Sequence, residues 1–289
     1  PEDCNTLKAA VKWVHGENSW TTIVVGRGEH QIDGDCLVVP TAMHIMGDPQ
    51  VVKEEIVVVG GIWFNNGIQG TCHLQHLTVR QAEGCGVHGQ SSFTMEDVLV
   101  EQCSGYGVCA YGTGVVGRCT NVEVRQCGCS GVLASFGASI TLIGAKTTVH
   151  DNCTSGNSDG YGLSVDGSST TIHLVPPLTK ETVSINNGGG GNYGAENGAD
   201  INQIKTMPSS APAPPGETKT SLPIEPDEPC FACSNTLPKD HCKIMRFMCC
   251  GRAMHYPCLN NHFKDKTKAY FNTHDPMCPC CNTMYPTLG

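Results

Sequence analysis

Val-Arg-Gln-Ala at residues 79–82, Val-Glu-Gln-Cys at residues 100–103 and Val-Arg-Gln-Cys at residues 124–127 are three copies of one short motif. The copies recur about every 22 residues, and self-similarity at such a period is typical of solenoids built from stacked repeats. A Gly-Val pair follows each copy, at residues 86–87, 107–108 and 131–132. The N-terminal part of the chain is therefore predicted to be a stack of similar coils.

A coil of about 22 residues has room for two or three short strands, which is what one turn of a parallel β-helix requires. One coil cannot bury its apolar side chains alone, so neighbouring coils stack about 4.8 Å apart and share a core. We predict that Val79, Val100 and Val124 point inward in successive coils. Glycines are expected at corners, where φ is positive or where two backbones approach closely. Leucine-rich repeats have a similar period, but their leucine and asparagine pattern is missing here.

Stacking in register also assigns roles to the residues beside these valines. Weaker copies of the motif, at residues 150–153 and 185–188, extend the alignment, and Gly162-Leu163 and Gly194-Ala195 extend the Gly-Val column. The alignment predicts a ladder of hydrogen-bonded amide side chains: Gln81, Gln102, Gln126, Asn152 and Asn187. It predicts outer charges of alternating sign: Arg80, Glu101, Arg125 and Asp151. It predicts a column of small buried thiols, with a disulfide or metal role as the alternative: Cys103, Cys127 and Cys153.

The beginning of the chain predicts a helix that covers one open end of the stack. Residues 6–14 have helical spacing, with an apolar face made of Leu7, Ala10, Val11 and Val14. The strand-like segments Trp20–Gly28 and His44–Gly47 follow, each ending in glycine. This order resembles the opening of pectin-lyase-like right-handed β-helix proteins, over about residues 5–204. The resemblance implies a right-handed parallel β-helix, and most proteins of that kind act on polysaccharides.

Residues suited to catalysis on polysaccharides are better explained by the fold. Asp159-Gly160 and Asp166-Gly167 are typical turn sequences. The other charged and imidazole candidates either belong to the predicted charge ladder or share no spacing: Asp151, Arg80, Arg125, His73, His76 and His88. We therefore expect this part of the chain to be a scaffold that binds a protein substrate or a glycan.

Composition divides the chain and limits its partners. Residues 207–229 are rich in proline and poor in apolar residues, which indicates an extended linker. The predicted organisation is a β-helix at residues 1–204, a Pro-rich linker at residues 205–229 and a cysteine-rich domain at residues 230–289. A net charge of −9 and a pI of about 5.7 argue against binding to nucleic acid or to an anionic membrane. No apolar run approaches the roughly 20 residues of a membrane helix, and the chain opens without an apolar signal stretch.

The cysteine-rich domain carries four closely spaced pairs of zinc-type ligands. The pairs are Cys230 with Cys233, Cys249 with Cys250, His255 with Cys258, and Cys278 with Cys281. Zinc takes four such ligands in a tetrahedron, and a two-residue spacer lets one tight turn present both members of a pair. The pattern predicts two zinc ions, although Cys280 could replace Cys281, and Cys242 or His241 could compete with Cys249. The odd number of cysteines, 19, and the metal spacing favour a reducing compartment, the cytoplasm or the nucleus.

The segment from Cys249 to Cys258 begins Cys-Cys-Gly-Arg and resembles a variant of the RING finger. The resemblance implies a cross-braced pairing of the ligands. One zinc would be held by Cys230, Cys233, His255 and Cys258, and the other by Cys249, Cys250, Cys278 and Cys281. PHD fingers usually carry a tryptophan where this chain has Pro276, and RING-CH domains have a longer gap before the histidine.

RING fingers act as ubiquitin ligases, so the resemblance implies that a ubiquitin-conjugating enzyme docks on this domain. Family positions for that contact fall on Phe231, Ala232, Leu259, Phe263, Pro279 and Asn282. Ala232 is smaller than the aliphatic residue that is common there, and Asn282 replaces a common Arg or Lys. Two other functions stay open: a structural protein that assembles through its zinc module, and a β-helix enzyme that acts on carbohydrate.

Overall fold

The computed structural model describes residues 4–16, 21–156 and 158–208, and the backbone of two short strands at residues 244–246 and 253–255. The chain forms two compact units, Pro1–Pro212 and Ala213–Gly289. The N-terminal unit is mainly β and is a parallel β-solenoid, as the repeat predicts. Its right-handedness stays a prediction.

Two α-helices and 18 strands make up the described part of the N-terminal unit. The helices are α1 (Leu7–Gly16) and α2 (Lys180–Val183). The strands are β1 (Thr22–Val25), β2 (Gly28–Val39), β3 (His44–Gly47), β4 (Ile56–Phe64), β5 (Cys72–Arg80), β6 (Val87–Gly89), β7 (Phe93–Glu101), β8 (Val108–Tyr111), β9 (Val116–Thr120), β10 (Glu123–Arg125), β11 (Val132–Ser135), β12 (Ser139–Ile143), β13 (Thr148–His150), β14 (Tyr161–Asp166), β15 (Thr171–Leu174), β16 (Ser184–Ile185), β17 (Gly191–Glu196) and β18 (Ile204–Thr206). In the C-terminal unit, β19 (Ile244–Arg246) pairs antiparallel with β20 (Ala253–His255).

Parallel pairing between successive coils arranges these strands in three faces. The first face contains β1, β3, β9, β12, β15, β18 and the first halves of β5 and β7. The second contains β10, β13, β16, the first halves of β2 and β4 and the second halves of β5 and β7. The third contains the second halves of β2 and β4 with β6, β8, β11, β14 and β17.

The valine column that the motif predicts is the centre of the second face. Val79 pairs with Val100, and Val100 pairs with Val124. All three side chains are fully buried, so the predicted inward register is confirmed. Burying a valine side chain contributes roughly 1.5–3 kcal/mol, so each of the three valines adds to the stability of the stack.

Helix α1 covers the solenoid at its first strands. Its buried side chains are Leu7, Val11 and Val14, and the helix packs on β1 and β2. The predicted helix and its apolar face are thus confirmed, with Ala10 partly buried against the core. Neither helix in the described part of the chain has the length and apolar character needed to cross a bilayer.

The corners between faces are formed by stacked residues in the left-handed region of φ. One corner column contains His76, Asp97 and Asn121, and another contains Gln81, Gln102, Gln126, Asp151 and Asn186; their φ values lie between 51° and 57°. Polar side chains that bond locally tolerate this conformation better than apolar ones do. Corners with positive φ are therefore not restricted to glycine, contrary to the simplest expectation from the sequence.

The predicted columns are in register in the first three copies and slip by one residue in the fourth and fifth. Gln102 Nε2 donates to Gln126 Oε1 at 3.2 Å, and the Arg125 guanidinium contacts Glu101 at 2.8 Å. Val149, not His150, pairs with Val124. Asp151 therefore follows Gln126 in the outer column, and His150, not Asp151, follows Arg125.

The slip places Asn152 in the buried column of Cys103 and Cys127, where Cys153 was expected. Asn152 is 2% exposed, and its Oδ1 accepts from the Cys127 N–H at 3.1 Å while its Nδ2 donates to the Val124 carbonyl at 3.0 Å. Asn187 Oδ1 accepts in turn from the Asn152 N–H at 3.0 Å. The interior corner accepts either a small thiol or an amide whose polar atoms are bonded, so aligning the cysteines gave the wrong register.

The Gly-Val column is confirmed as far as Gly162-Leu163 and then slips by two residues. Leu163 pairs with Tyr193, so Asn192 occupies the glycine position in the last coil in place of Gly194. The glycines of this column lie where two backbones approach closely. A Cβ on Gly107 would lie 2.3 Å from Val124 Cγ1 and 2.6 Å from the Gly131 carbonyl oxygen.

Gly107→Ala should destabilise the solenoid by about 1–3 kcal/mol, because the added methyl group overpacks the core. The Gly131 oxygen that it meets accepts the inter-coil hydrogen bond of Val108 at 2.9 Å, so relief of the clash disturbs coil pairing. Urea unfolding followed by circular dichroism measures the loss. The control is Gly84→Ala, whose Cβ meets no atom within 4 Å and should change stability by less than about 1 kcal/mol. Equal midpoints for the two variants would contradict the close approach at Gly107.

Candidate functional site

Four ring side chains from successive coils form a row on the outer side of the third face. They are Trp63, His88, Tyr111 and Phe136, which we call the ring ladder. The centroids of Trp63 and His88 are 5.6 Å apart in an edge-to-face arrangement, His88 stacks on Tyr111 at 6.1 Å, and Tyr111 lies 4.7 Å from Phe136. Phe136 is 61% exposed and Tyr111 is 38% exposed. The ladder is therefore an accessible aromatic surface along the stacking direction.

Phe136, at the exposed end of the ladder, has an unusual backbone conformation. Its φ is 54°, a region that is strongly disfavoured for a bulky residue without a polar side chain. Its N–H donates to the Asp166 carbonyl at 3.2 Å, and Thr113 Oγ1 donates to its carbonyl at 3.3 Å. An exposed aromatic side chain held in a strained conformation is a feature often found at binding sites.

An acidic pair continues the same outer surface on the next two coils. Asp166 and Glu196 are direct partners in the pairing of β14 with β17. Ser135 Oγ and Asn197 Nδ2 each donate to the Asp166 carboxylate at 2.7 Å, one to each oxygen. Partial burial, together with the nearby charges of Asp166 and Asp159, raises the pKa of the Glu196 carboxyl above its ordinary value. The acidic pair thus combines one carboxyl whose pKa is raised with another that accepts two hydrogen bonds.

This arrangement suits an extended ligand that offers apolar faces and hydroxyl or amide groups in turn. Aromatic rings stack on the apolar faces of sugars and on flat side chains, and carboxylates accept hydrogen bonds from hydroxyl and N–H donors. The row of rings and carboxylates follows strands that lie about 4.8 Å apart, so successive ligand units could contact successive coils.

The other catalytic candidates from the sequence lie apart from this surface. His76 Nδ1 contacts Asp97 Oδ2 at 2.7 Å, and the same carboxylate holds Lys53 at 2.8 Å. His73 Nδ1 bonds Thr94 Oγ1 at 2.6 Å on the first face. Arg80 and Arg125 both lie beside Glu101, as the charge ladder predicts.

The other acidic candidates, Asp151 and Asp159, contact residues next to them in the sequence. Asp151 Oδ2 contacts His150 Nδ1 at 2.8 Å, and Asp159 lies in a turn where Ser158 Oγ donates to it at 3.2 Å. The described cysteines are free rather than disulfide-bonded. Within residues 4–16, 21–156 and 158–208, no group of three or more ligating side chains is placed to hold a metal.

The predicted zinc ligands and docking residues lie outside the described residues, apart from the backbone of His255. His255 ends β20 and pairs with Ile244. The zinc ligands Cys230, Cys233, Cys249, Cys250, Cys258, Cys278 and Cys281, and the docking positions Phe231, Ala232, Leu259, Phe263, Pro279 and Asn282, stay predictions.

Sequence reasoning missed most of the ring ladder and Glu196. His88 was noted, but as one of several scattered histidines. A signal was available for His88, Tyr111 and Phe136, which stand one, three and four residues after the valines of the Gly-Val column. The varying offset hid the ladder, because only the turn after β11 brings Phe136 beside Tyr111.

No family model, curated protein or solved structure matches this chain.

Glu196→Gln should raise the melting temperature at pH 7. The raised pKa means that the folded state binds this proton more tightly than the unfolded state, so the ionised carboxylate destabilises the fold above that pKa. The neutral amide removes this effect, and the gain should shrink as pH falls toward 4, where an ordinary glutamate is itself half protonated. Thermal unfolding at both pH values measures the difference, with exposed Glu83→Gln as the control. A gain that stays constant between the two pH values would contradict the assignment.

Proposed function

We propose that this protein is a RING-type ubiquitin ligase whose C-terminal module recruits a ubiquitin-charged conjugating enzyme. The observation that carries the proposal is the spacing of the eight ligands from Cys230 to Cys281. A histidine within such a series is explained by a metal site and not by disulfides. Zinc thiolates also need a reducing environment, so we place the protein in the cytoplasm or the nucleus.

The strand pair of the C-terminal unit is compatible with this proposal. β19 and β20 pair antiparallel, and the sequence between them contains Cys249 and Cys250. His255 is the last residue of β20, so two of the proposed ligand pairs are close in sequence to this strand pair. An isolated pair of short strands needs additional stabilisation, which structural zinc supplies in small domains.

A ligase of this kind catalyses transfer by holding the ubiquitin thioester in a reactive geometry, without a nucleophile of its own. The proposed docking groove is made of Phe231, Ala232 and Pro279, with Leu259 and Phe263 on the segment after Cys258. Asn282 would donate a hydrogen bond to the bound enzyme or ubiquitin, but without the charge assistance that Arg or Lys gives. Activity is therefore expected to be modest.

The solenoid would supply recognition of a protein substrate or a glycan. Support comes from the ring ladder and from Asp166 beside it, which offer stacking surfaces and hydrogen-bond acceptors in one row. Exposed aromatic side chains are over-represented at recognition surfaces because they bury a large area with little loss of conformational freedom.

A carbohydrate-cleaving solenoid is the second candidate function, and the Asp166–Glu196 pair favours it. One carboxyl with a raised pKa beside another that accepts two hydrogen bonds is an arrangement suited to general acid catalysis. Cleavage of a glycan that Glu196→Gln abolishes would establish this function instead.

We expect the purified chain to contain two zinc ions. Elemental analysis measures the content, and Cys250→Ala and Cys281→Ser should each lose zinc because a tetrahedral site cannot keep its affinity with three ligands. Cys280→Ser is the matched control and should keep both ions. If Cys280→Ser loses zinc and Cys281→Ser keeps it, Cys280 is the ligand in place of Cys281. One zinc or none in the wild type would refute the cross-braced site.

Autoubiquitination with a panel of conjugating enzymes tests the ligase itself. Ala232→Asp should abolish transfer and keep both zinc ions, because an unpaired carboxylate in an apolar contact is strongly unfavourable. Asn282→Arg should raise the rate by about fivefold, the effect of roughly 1 kcal/mol from a charge-assisted hydrogen bond. Should the wild type be inactive with every enzyme and Asn282→Arg not rescue it, assembly through the zinc module becomes the better function.

A further inference from the structure

Two thiols, Cys85 and Cys109, lie beside the ring ladder, and Cys85 lines a cavity of about 260 Å³. The cavity is lined by Cys36, Ile62, Trp63, Cys85 and His88, among others. Cys85 is half-buried in the turn before β6, whereas Cys109 is buried on the outer side of β8. Cys85 therefore faces a space that a small molecule can enter, and Cys109 does not border it.

Cys85 has two side-chain partners, His88 in its own coil and Cys109 in the next coil. The Cys109 thiol and the His88 imidazole are the side chains that act most strongly on the pKa of its sulfur. His88 is the register partner of Cys109 on the neighbouring strand, which brings the three groups together. The rings of Trp63 and Tyr111 hold the His88 imidazole from either side.

The charges around this pair favour a thiolate on Cys85 and a thiol on Cys109. The hydrogen bond from Cys109 is the largest influence, and with the His88 imidazole it outweighs burial and lowers the pKa of Cys85 to about 5. The same hydrogen bond and burial raise the pKa of Cys109 well above its ordinary value. Tyr106 also contributes a backbone hydrogen bond to Cys85, and Cys103 and Cys129 lie within reach of its charge.

We propose that Cys85 is a peroxide-reactive nucleophile and that Cys109 is its resolving thiol. The Cys85 thiolate attacks one oxygen of a small hydroperoxide, the O–O bond breaks, and the departing oxygen takes a proton to leave as water or an alcohol. Cys85 is then a sulfenic acid. The Cys109 sulfur attacks Cys85 Sγ, the S–O bond breaks, and the hydroxyl group leaves as water with the Cys109 proton. Two thiols are oxidised to one disulfide, and one hydroperoxide is reduced.

A second thiol pair of the solenoid offers a comparison within the same molecule. Cys103 and Cys127 also act on each other, and their pKa values are shifted in opposite directions. Both sulfurs belong to the hydrophobic core and are at most 2% exposed, whereas Cys85 lines the cavity. If contact between thiols were sufficient, both pairs would oxidise; if access through the cavity is required, only Cys85 and Cys109 do.

The test treats the whole chain with stoichiometric hydrogen peroxide at pH 6.5, alkylates the remaining thiols and maps the products by mass spectrometry. Cleavage at Glu96 and Glu101 separates Cys85 from Cys109, and fragmentation distinguishes Cys109 from Cys103 and Cys119 on the second peptide. We expect a Cys85–Cys109 disulfide that forms at least about tenfold faster than oxidation of the exposed Cys4, because the thiolate is the reactive form.

Three variants separate the roles. Cys109→Ser should lose the disulfide but carry a dimedone adduct on Cys85, which identifies the trapped sulfenic acid. His88→Asn should slow oxidation of Cys85 several-fold, and Cys129→Ser, the neighbouring-thiol control, should still form the disulfide. The proposal is overturned if Cys85 reacts no faster than Cys4. It is also overturned if Cys85 stays reduced while peroxide either joins Cys103 to Cys127 or oxidises the C-terminal thiols. These outcomes do not depend on ligase activity, so the two proposals can fail separately.

Discussion

Parallel pairing of one coil with the next is the interaction on which the rest of this structure depends. Each coil satisfies its backbone groups only through the coils above and below it, and each buries its inward side chains in the same way. The pairing of Val79, Val100 and Val124 fixes the register of the second face. Since the chain turns at fixed corners, that register also decides which side chains meet on the outer surface of the third face. The ring ladder, the acidic pair and the thiol pair all follow from this register.

The parts of the fold that the sequence predicted are those in which one residue type repeats in one column. The valines, the Gly-Val pairs and the helix at the start have regular spacing and large burial, so the pattern and the physical requirement coincide. Asn152 shows where this fails. Its amide replaces a cysteine in a buried column because its hydrogen bonds to Cys127 and Val124 compensate for its polarity, and no composition rule treats these two residues as equivalent. The alignment therefore followed Cys153 and lost register by one residue.

The candidate site was harder to predict because its members occupy different positions relative to the repeat. Tyr111 is the last residue of β8, whereas Phe136 lies in the turn after β11, at a positive φ. Only the path of the backbone brings their rings to 4.7 Å. The proposed zinc ligands are the opposite case. Their prediction rests on spacing along the chain alone, since one tight turn would present each pair, so the prediction for Cys230 to Cys281 needs no tertiary information.

His88 belongs to both the ring ladder and the thiol pair, and this shared position connects the two proposals. Its imidazole lies edge-to-face with Trp63, stacks on Tyr111 and acts on the Cys85 sulfur. A thiolate on Cys85 places a negative charge beside the imidazole, whereas a disulfide with Cys109 carries no charge. Oxidation of Cys85 would therefore change the charge in the middle of the aromatic surface, so the proposed peroxide chemistry and ligand recognition would be linked through one side chain.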